Sequence, residues 1–162
     1  MEQTKIDQLW HENQSAWIDN YCEGRKSFIY GLLPQTAVNL PIIQTISILK
    51  KRLGESTFQA AVWFEDSQFT VHSSQFTANL VGINVRTIQS FWNVVKYALT
   101  IPASQSAIHL LPIWEPGVVS SLYGMASWNI NPEFFSQELY GTYPHLDTVE
   151  RQLKACVNLL HA

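Results

Sequence analysis

The sequence predicts an α/β fold, and three observations predict it. Two short apolar runs of strand type, residues 27–33 and 107–112, alternate with apolar stripes of helical period. Between them, Phe69, Val71, Phe76, Ala78 and Leu80 alternate with polar neighbours, the period-two signature of a sheet with one wet face. Pro34, Gly54 and Pro102 fall where elements of these lengths should end.

Taken in order, residues 5–23 read as a helix, with Ile6, Trp10, Trp17 and Tyr21 near one face and Gly24 ending it. Ser27 to Leu33 is nearly continuously apolar and suits a strand buried on both faces. Pro41 opens a second helix where its missing N–H costs nothing, and Ile42, Ile46, Leu49 and Leu53 form its stripe up to Gly54. Lys50, Lys51 and Arg52 fall in its last turn and complement the helix dipole. Phe58 to Phe64 reads as another strand and Glu65-Asp66-Ser67 as a turn, so an antiparallel β-hairpin, inserted or at an edge, is expected over about 58–84. Thr87 can cap the next helix, whose Ile88, Phe91, Trp92, Val95 and Leu99 give the strongest helical stripe in the chain.

After the strand at Ala107 to Pro112 comes a long segment rich in Trp, Tyr, Gly and Pro, read as irregular from Ile113 to about Tyr143. The last helix has Asp147 as N-cap and Glu150 completing a capping box, with Val149, Leu153, Cys156, Val157 and Leu160 on its buried face. It reaches His161-Ala162 without a Gly cap or a Pro, so a longer parent chain is expected. Two units follow: an N-terminal helix, 1–26, and an α/β unit, 27–162, carrying the β insertion.

Composition narrows the function classes. Charged residues are 14% of the chain, against about 25% in typical soluble domains, while six Trp, six Tyr and eight Phe make it rich in aromatics. That balance implies much buried surface or surface meant for burial against something else. A net charge of −3, with no basic cluster beyond Lys50-Lys51-Arg52, argues against nucleic acid as a partner. Cys22 and Cys156 have no CxxC partner and read as reduced packing residues. The N-terminus is polar, and no apolar stretch approaches the roughly 20 residues a membrane helix needs, so no membrane partner and a cytoplasmic location are expected. His11, His72, His109, His145 and His161 lack metal-ligand spacing, and no G-x-S-x-G elbow or phosphate-cradling glycine loop occurs. No metal and no cofactor are expected.

Residues 107–162 carry a resemblance. Ile108-His109-Leu110-Leu111-Pro112-Ile113-Trp114-Glu115-Pro116 resembles the second barrel strand of α-amylase-type glycoside hydrolases, an apolar strand running through Pro into an active-site loop. Tyr123-Gly124 followed by Ile130-Asn131-Pro132-Glu133-Phe134 resembles that family's Ile-Asp-Pro-x-Phe-Gly-like stretch, and Leu146 to Ala162 resembles the helix that follows it. Asn131 stands where the family usually has Asp, Tyr-Gly replaces Gly-Tyr, and no Gly follows Phe134. Within the family the wording is similar to cyanobacterial glucosylglycerol hydrolases. The resemblance implies an incomplete (β/α)8 barrel, comprising its early strands and helices, in the N-terminal part of a retaining glycosidase. Such an enzyme would act on an α-glucoside such as glucosylglycerol, with two carboxylates about 5–5.5 Å apart. In the family those carboxylates follow later strands, so the chain would hold no catalytic residue. The rest of the barrel would follow Ala162, and the chain alone would be inactive.

Four residues are candidates for substrate binding. The resemblance implies that Tyr123 stacks on a sugar ring; packing within its loop is the alternative. Trp114 and Trp128 could form further sugar platforms or serve as loop packing. Glu115, just past the end of the 107–112 strand, could accept hydrogen bonds from sugar hydroxyls or be a solvated loop residue. Glu65 and Asp66 are adjacent, so they point apart and read as a hairpin turn rather than a catalytic pair. The other reading of the chain is a complete small α/β domain that binds a ligand or carbohydrate without catalysis.

Overall fold

The computed structural model describes residues 37–64, 80–101, 105 and 107–162. The helix expected over 5–23, the strand over 27–33, the Glu65-Asp66 turn and the period-two residues before Leu80 lie outside them.

Helix α1, Ile42–Leu53, starts after Pro41 and ends at Gly54, as the sequence predicts. Gly54 has a φ of 85°, a conformation that costs an L side chain and not glycine, and its N–H donates to the Lys50 carbonyl. It turns the chain directly into helix α2, Glu55–Trp63. This corrects the strand expected over Phe58 to Phe64. The buried residues there are Phe58, Ala61 and Val62, spaced i, i+3, i+4, and the apolar run is long enough to hide that helical period. Local bonds favour the helix too: Gln59 Nε2 donates to Glu55 Oε1 at 2.9 Å, and Lys50 Nζ meets the same oxygen at 2.8 Å. The Gln59 hydrogen bond, with the Lys50 contact second to it, lowers the pKa of Glu55.

Strand β1, Leu80–Ile83, pairs in parallel with β2, Ala107–Leu110, Val81 opposite Ile108 and Ile83 opposite Leu110. Leu80 therefore belongs to a parallel pair and not to the antiparallel hairpin expected over about 58–84. Parallel neighbours require a crossover, here two helices. The sequence predicts one helix capped at Thr87; the structure has α3, Val85–Ile88, capped by Asn84, and α4, Phe91–Ala98, capped by Ser90. The break is at Gln89, with a φ of 77°. The Ser90 hydroxyl accepts from the Asn93 N–H at 3.2 Å, offering the backbone a fresh start in place of continuous helix.

The antiparallel pair lies further on, inside the segment read as irregular. Strand β3, Trp114–Pro116, pairs with β4, Met125–Ile130, Trp114 opposite Ile130 and Pro116 opposite Met125, with an irregularity between. A 3-10 turn, Pro132–Phe134, and helix α5, Gln137–Thr142, lead to helix α6, Val149–His161. Among the described residues there are two sheets of two strands each, and they close no barrel.

Helix α6 is the hub of the core. It packs on α2 and α4, bringing Ala155, Cys156 and Leu159 against a cluster that includes Phe58, Val62, Trp92 and Val95. Its N-cap is Thr148, whose hydroxyl accepts from the Arg151 N–H at 3.2 Å; the expected cap, Asp147, instead pairs with the Arg151 guanidinium at 2.9 Å. Two polar residues share its buried face. Gln152, fully buried, accepts from the Ser136 N–H and donates to the Ser136 and Leu146 carbonyls, while Asn158 donates to the Ala61 carbonyl. Leu153, Val157 and Leu160, expected on that face with Val149 and Cys156, are half-buried. Lys96, 3% exposed, extends its ammonium 2.7 Å to Glu138 on α5, which satisfies a charge that could not be buried alone.

Candidate functional site

The four residues singled out from the sequence lie on the β3–β4 hairpin or in its loop. The hairpin leaves the sheet just beyond the carboxyl end of β2, the end at which open α/β sheets hold their ligands. Alternation along its strands sorts the side chains onto two faces. One is aromatic. Trp114 and Trp128 meet edge to face, ring centroids 5.5 Å apart and planes at 73°. Trp114 is half-buried, and Trp128 is 73% exposed. An exposed indole steadied by a second indole is an apolar platform already held in place.

The opposite face is polar. Glu115 Oε2 accepts from the Ser127 hydroxyl at 2.6 Å and from the Asn129 side-chain amide at 3.3 Å. The Ser127 hydroxyl accepts in turn from the Asn129 N–H at 3.1 Å, so two linked residues fix the carboxylate. Oε1 takes no hydrogen bond from the described residues and can accept from a ligand hydroxyl. The structure thus brings Trp114 together with Trp128 and sets Glu115 on the other side of the ribbon.

Tyr123 sits apart from both, in the loop of residues 117–124, and is 75% exposed. Among the described residues no ring contact joins it to either tryptophan. The loop closes on a glycine pair: the Gly117 N–H donates to the Gly124 carbonyl at 2.7 Å, and a Cβ on Gly117 would stand 2.9 Å from that oxygen. Any other residue at 117 would push the strands apart.

Ser127 and Asn129 escaped the sequence reading. They stand two apart on a strand, a spacing that places them on one face, but the Trp- and Gly-rich segment around them hid the strand. A second cluster surrounds His145. Its ring stacks on Trp63 at 3.8 Å, and its Nε2 bonds the Val62 carbonyl at 3.0 Å, so it ties the α5–α6 connection to α2. Cys156 is buried, and burial pushes its thiol well above the ordinary value, as expected of a packing residue and not a nucleophile. Among the described residues no group of three or more His, Cys, Asp or Glu could hold a metal ion, and no helix is long and apolar enough to cross a membrane.

No protein-family model, curated protein or solved structure matches the chain.

Proposed function

We propose that the chain is the N-terminal part of a cytoplasmic glycoside hydrolase acting on an α-glucoside such as glucosylglycerol, and that the β3–β4 hairpin binds the sugar. The observation that carries this reading is the exposed indole platform on one face of the hairpin at the carboxyl end of β2. Trp128, steadied by Trp114, offers an apolar face to the C–H side of a sugar ring. Glu115, held by Ser127 and Asn129 on the ribbon's other face, offers an oxygen to hydroxyls there, not to a ring seated on Trp128. The resemblance of residues 107–162 to α-amylase-type enzymes supplies the reaction class: retaining hydrolysis by two carboxylates, both on later strands. On this reading the chain binds and does not cleave.

Tryptophan fluorescence tests it. Glucosylglycerol or methyl α-D-glucoside should quench the emission saturably, and Trp128→Ala should abolish most of the response. Flat titrations with both sugars would remove the reading. The reaction class has its own test: the coding sequence beyond Ala162 should give an apolar strand ending in Asp, with His close behind.

The same hairpin suits a second reading, a complete small carbohydrate-binding α/β domain without catalysis. The two readings share the fluorescence result and part on the downstream sequence.

A further inference from the structure

The loop carrying Tyr123 poses a mechanical problem. Its eight residues, 117–124, hold Val118 and Val119 almost wholly in solvent and Tyr123 at 75% exposure, and only Leu122 is buried. A hairpin loop of this length, with so little apolar burial, has little of its own to keep it in one shape. Hydrogen bonds within it help, Ser120 N–H to the Gly117 carbonyl and Gly124 N–H to the Ser121 carbonyl. Yet Ser120 itself sits at a φ of 54°, a left-handed conformation that disfavours an L residue.

The strained residue is the one that is held from outside. Arg86 Nη1 donates to the Ser120 carbonyl at 2.7 Å, while Nε and Nη2 of the same guanidinium grip both oxygens of Glu133. Both ends of this link are themselves fixed. The Arg86 N–H donates to the Asn84 side-chain oxygen at the start of α3, and the Glu133 N–H donates to the Asn131 side-chain oxygen at the start of the 3-10 turn. One planar fork thus joins the crossover, the loop tip and the turn after β4. Hydrogen bonding to Glu133 raises the arginine's pKa further.

We propose that Arg86 is a positioning residue, holding the 117–124 loop in the shape that sets Tyr123 for contact with a sugar ring; this rests on the sugar-binding reading above. The fork geometry is what matters. A lysine would keep the charge but could not grip a carboxylate with two donors and reach the Ser120 carbonyl with a third. Arg86 and Glu133 have side chains 37% and 40% exposed, so substitutions there leave the core intact.

The test uses the full chain with Arg86→Lys, Glu133→Gln, Tyr123→Ala and the double variant Arg86→Lys/Tyr123→Ala. Elastase cleavage after Val118 and Val119 reads the loop, and fluorescence titration with glucosylglycerol reads the site. Arg86→Lys should speed cleavage in the loop about tenfold, Glu133→Gln by less, with the melting temperature moved by no more than about 2 °C. Arg86→Lys should raise the Kd for glucosylglycerol about fivefold, and adding Tyr123→Ala to it should cost less than Tyr123→Ala costs the parent.

Unchanged cleavage in Arg86→Lys, or additive losses in the double variant, would overturn the assignment while leaving the sugar reading standing. A fall in melting temperature with cleavage rising throughout the chain would also overturn it, by making Arg86 a general support. A parent chain that binds no glucoside would remove the sugar reading and this role with it, and that result is visible before any variant is made.

Discussion

The helices α2, α4 and α6 and the β3–β4 hairpin draw on the same residue types and place them in opposite ways. In the helical layer Phe58, Phe91 and Trp92 are at most 1% exposed, whereas in the hairpin region Trp128 and Tyr123 stand about three-quarters in solvent beside the bare Val118 and Val119. The polar groups reverse too. Gln152 and Asn158 lie buried, spending their bonds on backbone groups that would otherwise go unpaired, while Glu115, Ser127 and Asn129 bond one another at the surface. The contrast teaches that the aromatics among the described residues fall into two sets. One set of rings fills a core; the other is held by hydrogen bonds and a neighbouring indole at a surface that has not been buried.

Substitutions can break that contrast or sharpen it. Phe58→Ala should have the largest effect, a loss of about 3–5 kcal/mol in urea unfolding, because a fully buried ring leaves a cavity between α2 and α6. Next comes Gln152→Leu. It keeps the volume but strands the Ser136 N–H and two carbonyls away from water, and about 2–3 kcal/mol should go, read by the same method.

Cys156 supplies a smaller, pH-dependent effect. Its thiol is raised from an ordinary 9.0 by burial, so the folded chain keeps a proton that the unfolded chain loses. Its contribution to stability is therefore intact below pH 9 and declines as pH rises beyond it. By pH 10 the parent should have lost about 1 kcal/mol relative to Cys156→Ala, measured as the difference between their pH–stability curves. Over the same range the thiol should react with a disulfide reagent only as fast as the chain unfolds.

The smallest effect on stability belongs to Trp128→Ala, within about 0.5 kcal/mol, as for an exposed side chain away from the core. If the loss approached that of Phe58→Ala, the division into packed and presented aromatics would fail.

Where the sequence spoke clearly, a local signal was enough. Pro41 and Gly54 bracket α1, and the apolar run at Ala107 marks β2, because proline, glycine and short strand runs constrain the backbone within a few residues. Where it misled, the deciding partner was far along the chain. Phe58 to Phe64 reads as a strand by its apolar run, and packing on α6, helped by the local Gln59–Glu55 bond, selects the helical spacing of Phe58, Ala61 and Val62. The mixed stretch after Ile113 hid a hairpin, since its pairing depends on Gly117 meeting Gly124 and Trp114 facing Ile130. Thr148 in place of Asp147 as the cap of α6 is a finer case: both side chains are suitable, and Asp147 is engaged by Arg151.

The candidate site divides along the same line. Its aromatic and acidic members, Trp114, Glu115, Tyr123 and Trp128, were legible as residue types placed after a strand that resembles a barrel strand. Their arrangement was not, because strand alternation sends Trp114 and Glu115 to opposite faces and gives each different neighbours. By itself the sequence determined a chain that mixes helices and strands, with amphipathic helices, buried apolar stripes and an aromatic segment after β2. Tertiary structure alone decided that β1 runs parallel to β2, that Gln152 belongs inside, and that Arg86 reaches Ser120 and Glu133, 34 and 47 residues away. The physical reason is range. Backbone preferences act over a few neighbouring residues, whereas pairing of buried polar groups and charges is settled only when distant segments meet.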